Sequence, residues 1–187
     1  MYKQYSNVGA DNTTIVKNTT NYDDEIHYIC INSSDRDAAR YPKVNNYRID
    51  FQDVFKNIHS IEIVSASVAN QNSVQTYPYL IVKFDGMDHL TFSNNNINKG
   101  FALFYLKPTA GAHVYPELGC LQRNVRYFKT PLASLASISI QFFKPDGTVF
   151  DFGEADGNVA VAYQNSLVLK IITKQVQREP LQQQNIY

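Results

Sequence analysis

ICINSSDRDAARYPKVNNYRIDFQDVFKNIHSIEIVSASVAN, residues 29–70, is the stretch whose reading decides the fold class. Tyr47, Ile49 and Phe51 alternate with Arg48 and Asp50, the period of two that marks a half-buried strand. An apolar strand before it ends in the charged turn Ser33-Ser34-Asp35-Arg36-Asp37, and a further strand follows over 59–68. In that last strand the apolar phase changes, from Ile61 and Ile63 to Val64, Ala66 and Val68. A slip of one residue exchanges the two faces of a strand, so the sequence predicts a bulge or a crossing between environments there.

Working outward, the same period recurs. Ile138, Ile140 and Phe142 alternate with Ser137, Ser139 and Gln141. Leu167, Leu169 and Ile171 share a face over 165–174, while Val168 and Ile172 make the other face apolar too, which predicts cover on both sides. Further strands are expected near 26–32, 79–85, 101–107 and 124–129. Phe143-Lys-Pro-Asp-Gly-Thr148 is a turn signal, because Pro presets one dihedral and Gly accepts positive φ, and it should join 137–143 to 148–152 as a hairpin. Helical signals are short: Phe51–Asn57 and Pro131–Ala136 predict a turn or two each. Roughly eight or nine strands with long polar excursions give an all-β chain, a two-sheet β-sandwich of jelly-roll or related Greek-key type. Residues 1–24 and 175–187 read as arms flanking one domain over 25–174. The loops 86–100 and 108–123 are long for hairpins.

Composition agrees with a globular β domain. The 187 residues are 44% hydrophobic and 18% charged, with 13 Tyr and 11 Phe. Lys and Arg together number 17, as do Asp and Glu, and no basic block stands out, which argues against wrapping nucleic acid. No stretch is long and apolar enough for a membrane-spanning helix, so no direct membrane insertion is expected. The first 24 residues lack the apolar core of a signal peptide, so Cys30 and Cys120 are expected as buried free thiols. The sequons at Asn12, Asn18 and Asn32 are read as chance products of an Asn- and Thr-rich region.

Motifs for chemistry are sparse. His27, His59, His89 and His113 have no partners at metal-ligand spacing and read as edge-of-core histidines. Asp85-Gly-Met-Asp88 and Asp151-Phe-Gly-Glu154 fit turns better than calcium loops. Neither a nucleophile elbow nor a phosphate-cradling glycine loop is present, so no catalytic, cofactor or metal site is expected and the chain is not read as an enzyme. Ser93-Asn-Asn-Asn-Ile-Asn-Lys-Gly100 reads as a solvated crossover. The cluster Asp35, Arg36, Asp37 and Arg40 has two readings. It is either a capped surface turn whose arginines pair with nearby carboxylates, or a set of directed ion pairs to a neighbouring subunit. On the second reading, removing Arg36 and Arg40 together should weaken assembly more than folding.

Three elements in this order carry a resemblance. Ser33, Asp35, Arg36 and Asp37 form the first, Tyr41, Pro42, Asn45 and Tyr47 the second, and Lys56, Asn57, Ser60, Ile61 and Glu62 the third. The run resembles the N-terminal part of small capsid proteins of nucleocytoplasmic large DNA viruses, including the chlorella-virus group. The resemblance covers about 40 residues. It implies a single jelly roll in an icosahedral shell, with the small size favouring the penton, a homopentamer at the vertex. Partners would be further copies of the chain and neighbouring major and minor capsid proteins, and the location would be the virion. The rival readings are a minor capsid or cement protein beneath the shell, and a β-sandwich carbohydrate-binding module.

Overall fold

The computed structural model describes residues 22–118, 124–153 and 160–176. These form nine strands: β1 Tyr22–Asn32, β2 Asn46–Ala69, β3 Tyr79–Phe84, β4 Leu90–Thr91, β5 Lys99–Gly100, β6 Ala102–Tyr105, β7 His113–Val114, β8 Val125–Phe143 and β9 Ser166–Val176. Among the described residues the only helical pieces are three short 3-10 turns, at Ser33–Asp35, Val74–Thr76 and Val161–Tyr163. The chain is all-β, and every strand pairing is antiparallel.

The main sheet runs β1-β9-β2-β8-β3-β6, with β7 paired to the end of β2 and β4-β5 forming a separate ribbon. Its curl follows from two long strands. A straight strand the length of β2 would span roughly 80 Å. Yet the flanks of β2 meet at one side chain: Asn165 Oδ1 accepts from the Ala69 amide at 2.8 Å, and Asn165 Nδ2 donates to the Val44 carbonyl at 3.3 Å. Register breaks make this bend. Residues 51–54 of β2 face only residue 136 of β8, and residues 128–131 of β8 face only residue 59 of β2. Such excursions bend and twist the bulged strand. The sheet therefore folds over one core that joins Tyr47, Ile138, Ile140 and Phe142 to Ile61, Ile63, Leu169 and Ile171.

Several expectations change accordingly. The segments 51–57 and 131–136 are not helical turns but parts of β2 and β8, next to or within the excursions at 51–54 and 128–131 that bend them. In the β2 bend the rings of Phe51 and Phe55 meet edge to face at 5.8 Å. The separate strands expected at 47–51 and 59–68 are one strand, as are those at 124–129 and 137–143. The bulge expected in 59–68 is present, as a register shift between Ile63 and Ser65 against β9. The 143–148 turn forms, with the Lys144 amide donating to the Thr148 carbonyl at 2.8 Å, but beyond it only a single bridge links Phe143 to Val149. In β9, Leu167, Leu169 and Ile171 are buried, whereas Val168 and Ile172 are only half-buried, so the second face is open rather than covered.

Tyr22–Asp24, assigned to the N-terminal arm, belong to β1, and β9 runs two residues beyond 174. The remainder of both arms, with Cys120, Asn12 and Asn18, lies outside the described residues. Cys30 is exposed, not buried, because it sits on the outward face of β1, opposite Val168.

Candidate functional site

The charged turn is held from within. Asn32 caps the 3-10 turn by accepting the Ser34 amide at 3.1 Å. Arg36 then points inward and is only 5% exposed. Its Nε donates to the Tyr41 carbonyl at 2.8 Å and its Nη2 to the Pro42 carbonyl at 2.9 Å. Its Nη1 donates to the Ser33 carbonyl at 2.7 Å and to Gln164 Oε1 at 3.2 Å. The Ser33 hydroxyl donates to the same Gln164 oxygen at 2.7 Å and accepts the Asn165 amide at 2.8 Å. The planar guanidinium suits this, because its fixed fork reaches several carbonyls at once. Arg36 thus fastens the 33–42 loop to the approach of β9, and these donors are spent on acceptors within the chain.

The other three residues face solvent. Asp37 Oδ1 accepts the amides of Ala39 and Arg40 at 3.0 and 3.2 Å, closing the next turn. Arg40 is exposed and lies over the Tyr41 ring at 5.5 Å, and exposed Asp35 accepts from the Ser34 hydroxyl at 3.3 Å. Asp35, Asp37 and Arg40 therefore remain as surface charges, and a double loss of Arg36 and Arg40 would damage folding first.

The rest of the recognised run is also occupied internally. Asn45 Nδ2 donates to the Phe150 carbonyl at 2.7 Å. Tyr47 is fully buried, which pushes its phenol well above the usual range, and its hydroxyl has no partner. Asn57 adopts φ 54° at the β2 bend, and Glu62 faces Lys170 of β9 at 3.7 Å.

A groove of about 1070 Å³ opens where β2 leaves β9. Their ladder ends at Ile58 opposite Thr173, beyond which β9 continues with β1 alone. Asp23, Glu25 and His27 of β1, residues 53–57 of β2 and Thr173, Lys174 and Gln175 of β9 line it. His27 Nε2 lies 3.1 Å from Thr173 Oγ1 and 3.6 Å from Glu25 Oε2, and its ring meets Phe55 edge to face at 5.2 Å. A nucleophile relay needs the hydroxyl and the carboxylate on opposite ring nitrogens. Here both converge on one nitrogen, so these three side chains are not arranged as such a relay. The lining mixes carboxylates with Lys56 and Lys174, which suits a polar, hydrogen-bonding occupant. No signal in the sequence foretold this groove, because its walls are distant in the chain.

The remaining motifs are structural. Among the described residues no group of three His, Cys, Asp or Glu side chains is placed to hold a metal ion, and all four histidines are half-buried. Asp88 accepts the Phe84 amide at 3.0 Å, and burial raises its carboxyl pKa. Asp146 accepts both the hydroxyl and the amide of Thr148, which lowers its pKa. The Asn-rich loop is not simply solvated: Asn94 and Asn96 donate to the carbonyls of Pro145 and Asp146 at 2.9 Å each, clamping the 143–148 turn.

Residues 15–81 match the model of a family of unknown function, DUF5901, a little over a third of the 187-residue chain. That segment contains β1, the fastened turn, all of β2 and the first half of β3. No curated protein matches the chain.

Proposed function

We propose that this chain is a structural subunit of an icosahedral virus shell, a single two-sheet jelly roll that packs against copies of itself. Its finest form is the pentameric vertex capsomer, in contact with neighbouring major and minor capsid proteins. The observation that carries the reading is the exposure of large side chains on an otherwise well-packed β body: Tyr22, Tyr28 and Tyr127 are 56, 65 and 64% exposed. Tyr22 and Tyr28 share one face of β1 with exposed Ile26, and Tyr is enriched in protein contacts. The resemblance of residues 29–70 to small capsid proteins supplies the kind of assembly. The carbohydrate-binding reading has less support: among the described residues Phe55 is the one Phe, Tyr or Trp in the groove lining, and His27 and Phe51 already contact it. Negative-stain electron microscopy of the concentrated protein tests the proposal. Five-fold rings are expected, and a field of single-chain particles would contradict it.

A further inference from the structure

We infer that the outward face of β1, β9 and β2 docks a second copy of this chain, an inference that rests on the assembly reading above. Directly opposed residues in an antiparallel sheet share a face, so the registers define rows across it. One row runs Ile26, Ile172, Ser60, Tyr127, with Ser60 itself only 2% exposed beneath its larger neighbours, and the next Tyr28, Lys170, Glu62, Val125. Cys30 stands opposite Val168 in a third row. The opposite faces of these strands hold Ile31, Ile61, Leu169 and Ile171 in the core, so the apolar residues on the outward face have no role in the interior.

Two features identify a copy of the chain as the occupant. The charges on the face are neutralised within it: Lys170 faces Glu62 at 3.7 Å and Lys174 faces Asp24 at 4.0 Å. A face without net charge does not repel an identical molecule and offers no attraction to a strongly charged partner. The area fits a contact repeated in an assembly. Three strands of ten or eleven residues and the first three residues of β8 cover on the order of 550 Å², below the ~800 Å² per partner of a stable pair and in the range of weak, reversible contacts that hold when repeated.

Sedimentation velocity of the full chain across a concentration series tests this, comparing the native sequence with Ile26→Glu/Tyr28→Glu. Val161→Glu is the control, since Val161 is 77% exposed in a 3-10 turn off this face. Loss of two of its most exposed anchors should weaken association by at least roughly thirtyfold, leaving the control as native. A second readout needs no charged variant: in Cys120→Ser protein, maleimide labelling of Cys30 should slow as concentration rises. If native and double-variant chains associate equally and Cys30 labels at a constant rate, the face is refuted while assembly through another surface stands. A native chain that stays monomeric throughout refutes both this contact and the assembly reading.

Discussion

Replacing Arg36 with alanine should be among the most damaging single changes in the described part of the chain. The guanidinium serves four acceptors: the carbonyls of Ser33, Tyr41 and Pro42, and the Gln164 side chain. A buried acceptor left without a donor costs ~1–3 kcal/mol, but the four losses do not add. The Tyr41 and Pro42 carbonyls are only partly buried, so water can replace those two donors. The Gln164 oxygen keeps its bond from the Ser33 hydroxyl. Removing the Arg also relieves the cost of desolvating its charge, which leaves a net loss of about 2–4 kcal/mol. That is a large share of a typical 5–15 kcal/mol, and for a chain of this size corresponds to a fall in Tm of roughly 5–15 °C. Urea unfolding is the assay, with an unchanged m-value confirming that the same surface is exposed. Arg40→Ala, at an exposed site, should stay within about 0.5 kcal/mol of native. Equal effects of the two substitutions, or a loss below ~1 kcal/mol for Arg36→Ala, would refute the assignment of Arg36 as an internal fastener.

Other residues give independent tests. Tyr47→Phe removes a buried hydroxyl without a partner and should raise stability by about 1 kcal/mol in urea unfolding; a comparable loss would mean that the hydroxyl is satisfied. Gly86 and Gly147 both have positive φ, but an added Cβ meets nothing at Gly86 and lies 2.7 Å from Ile97 Cγ2 at Gly147. Gly86→Ala should therefore cost about 1 kcal/mol and Gly147→Ala clearly more, about 2–4 kcal/mol; equal Tm shifts would deny the packing of the Asn-rich loop on that turn. Burial raises the folded pKa of Asp88 above an unfolded value near 3.9, so the folded chain keeps a proton that the unfolded chain has released. Its contribution is most favourable below the unfolded pKa and declines as pH rises to the folded pKa. Asp88→Asn should consequently gain on the native chain between pH 3 and 7 in urea midpoints, and a gap independent of pH would contradict this.

The strands were legible wherever one face alone was buried. Tyr47 to Phe51 and Ile138 to Phe142 announced themselves by alternation, and the phase change after Ile63 announced a bulge that is there. The bends were not legible, because a strand that turns through a bulge loses its period and brings Phe51 beside Phe55, the spacing of a helix. Charge alone could not separate Arg36 from Arg40. Burial of Arg36 depends on carbonyls and on Gln164, whose position is set by β9 more than a hundred residues later. The groove was hidden for the same reason, since His27 and Thr173 meet only after β1 and β9 pair. The open outer face was half legible: Val168 and Ile172 were recognisable as apolar, but whether that second face is covered is a property of the layers.

Native mass spectrometry of the full chain over a concentration series bears most directly on self-assembly. The account predicts a defined oligomer, of five copies if the vertex reading holds, whose population grows with concentration. A monomer at every concentration would contradict the claim that this chain is built to pack against itself.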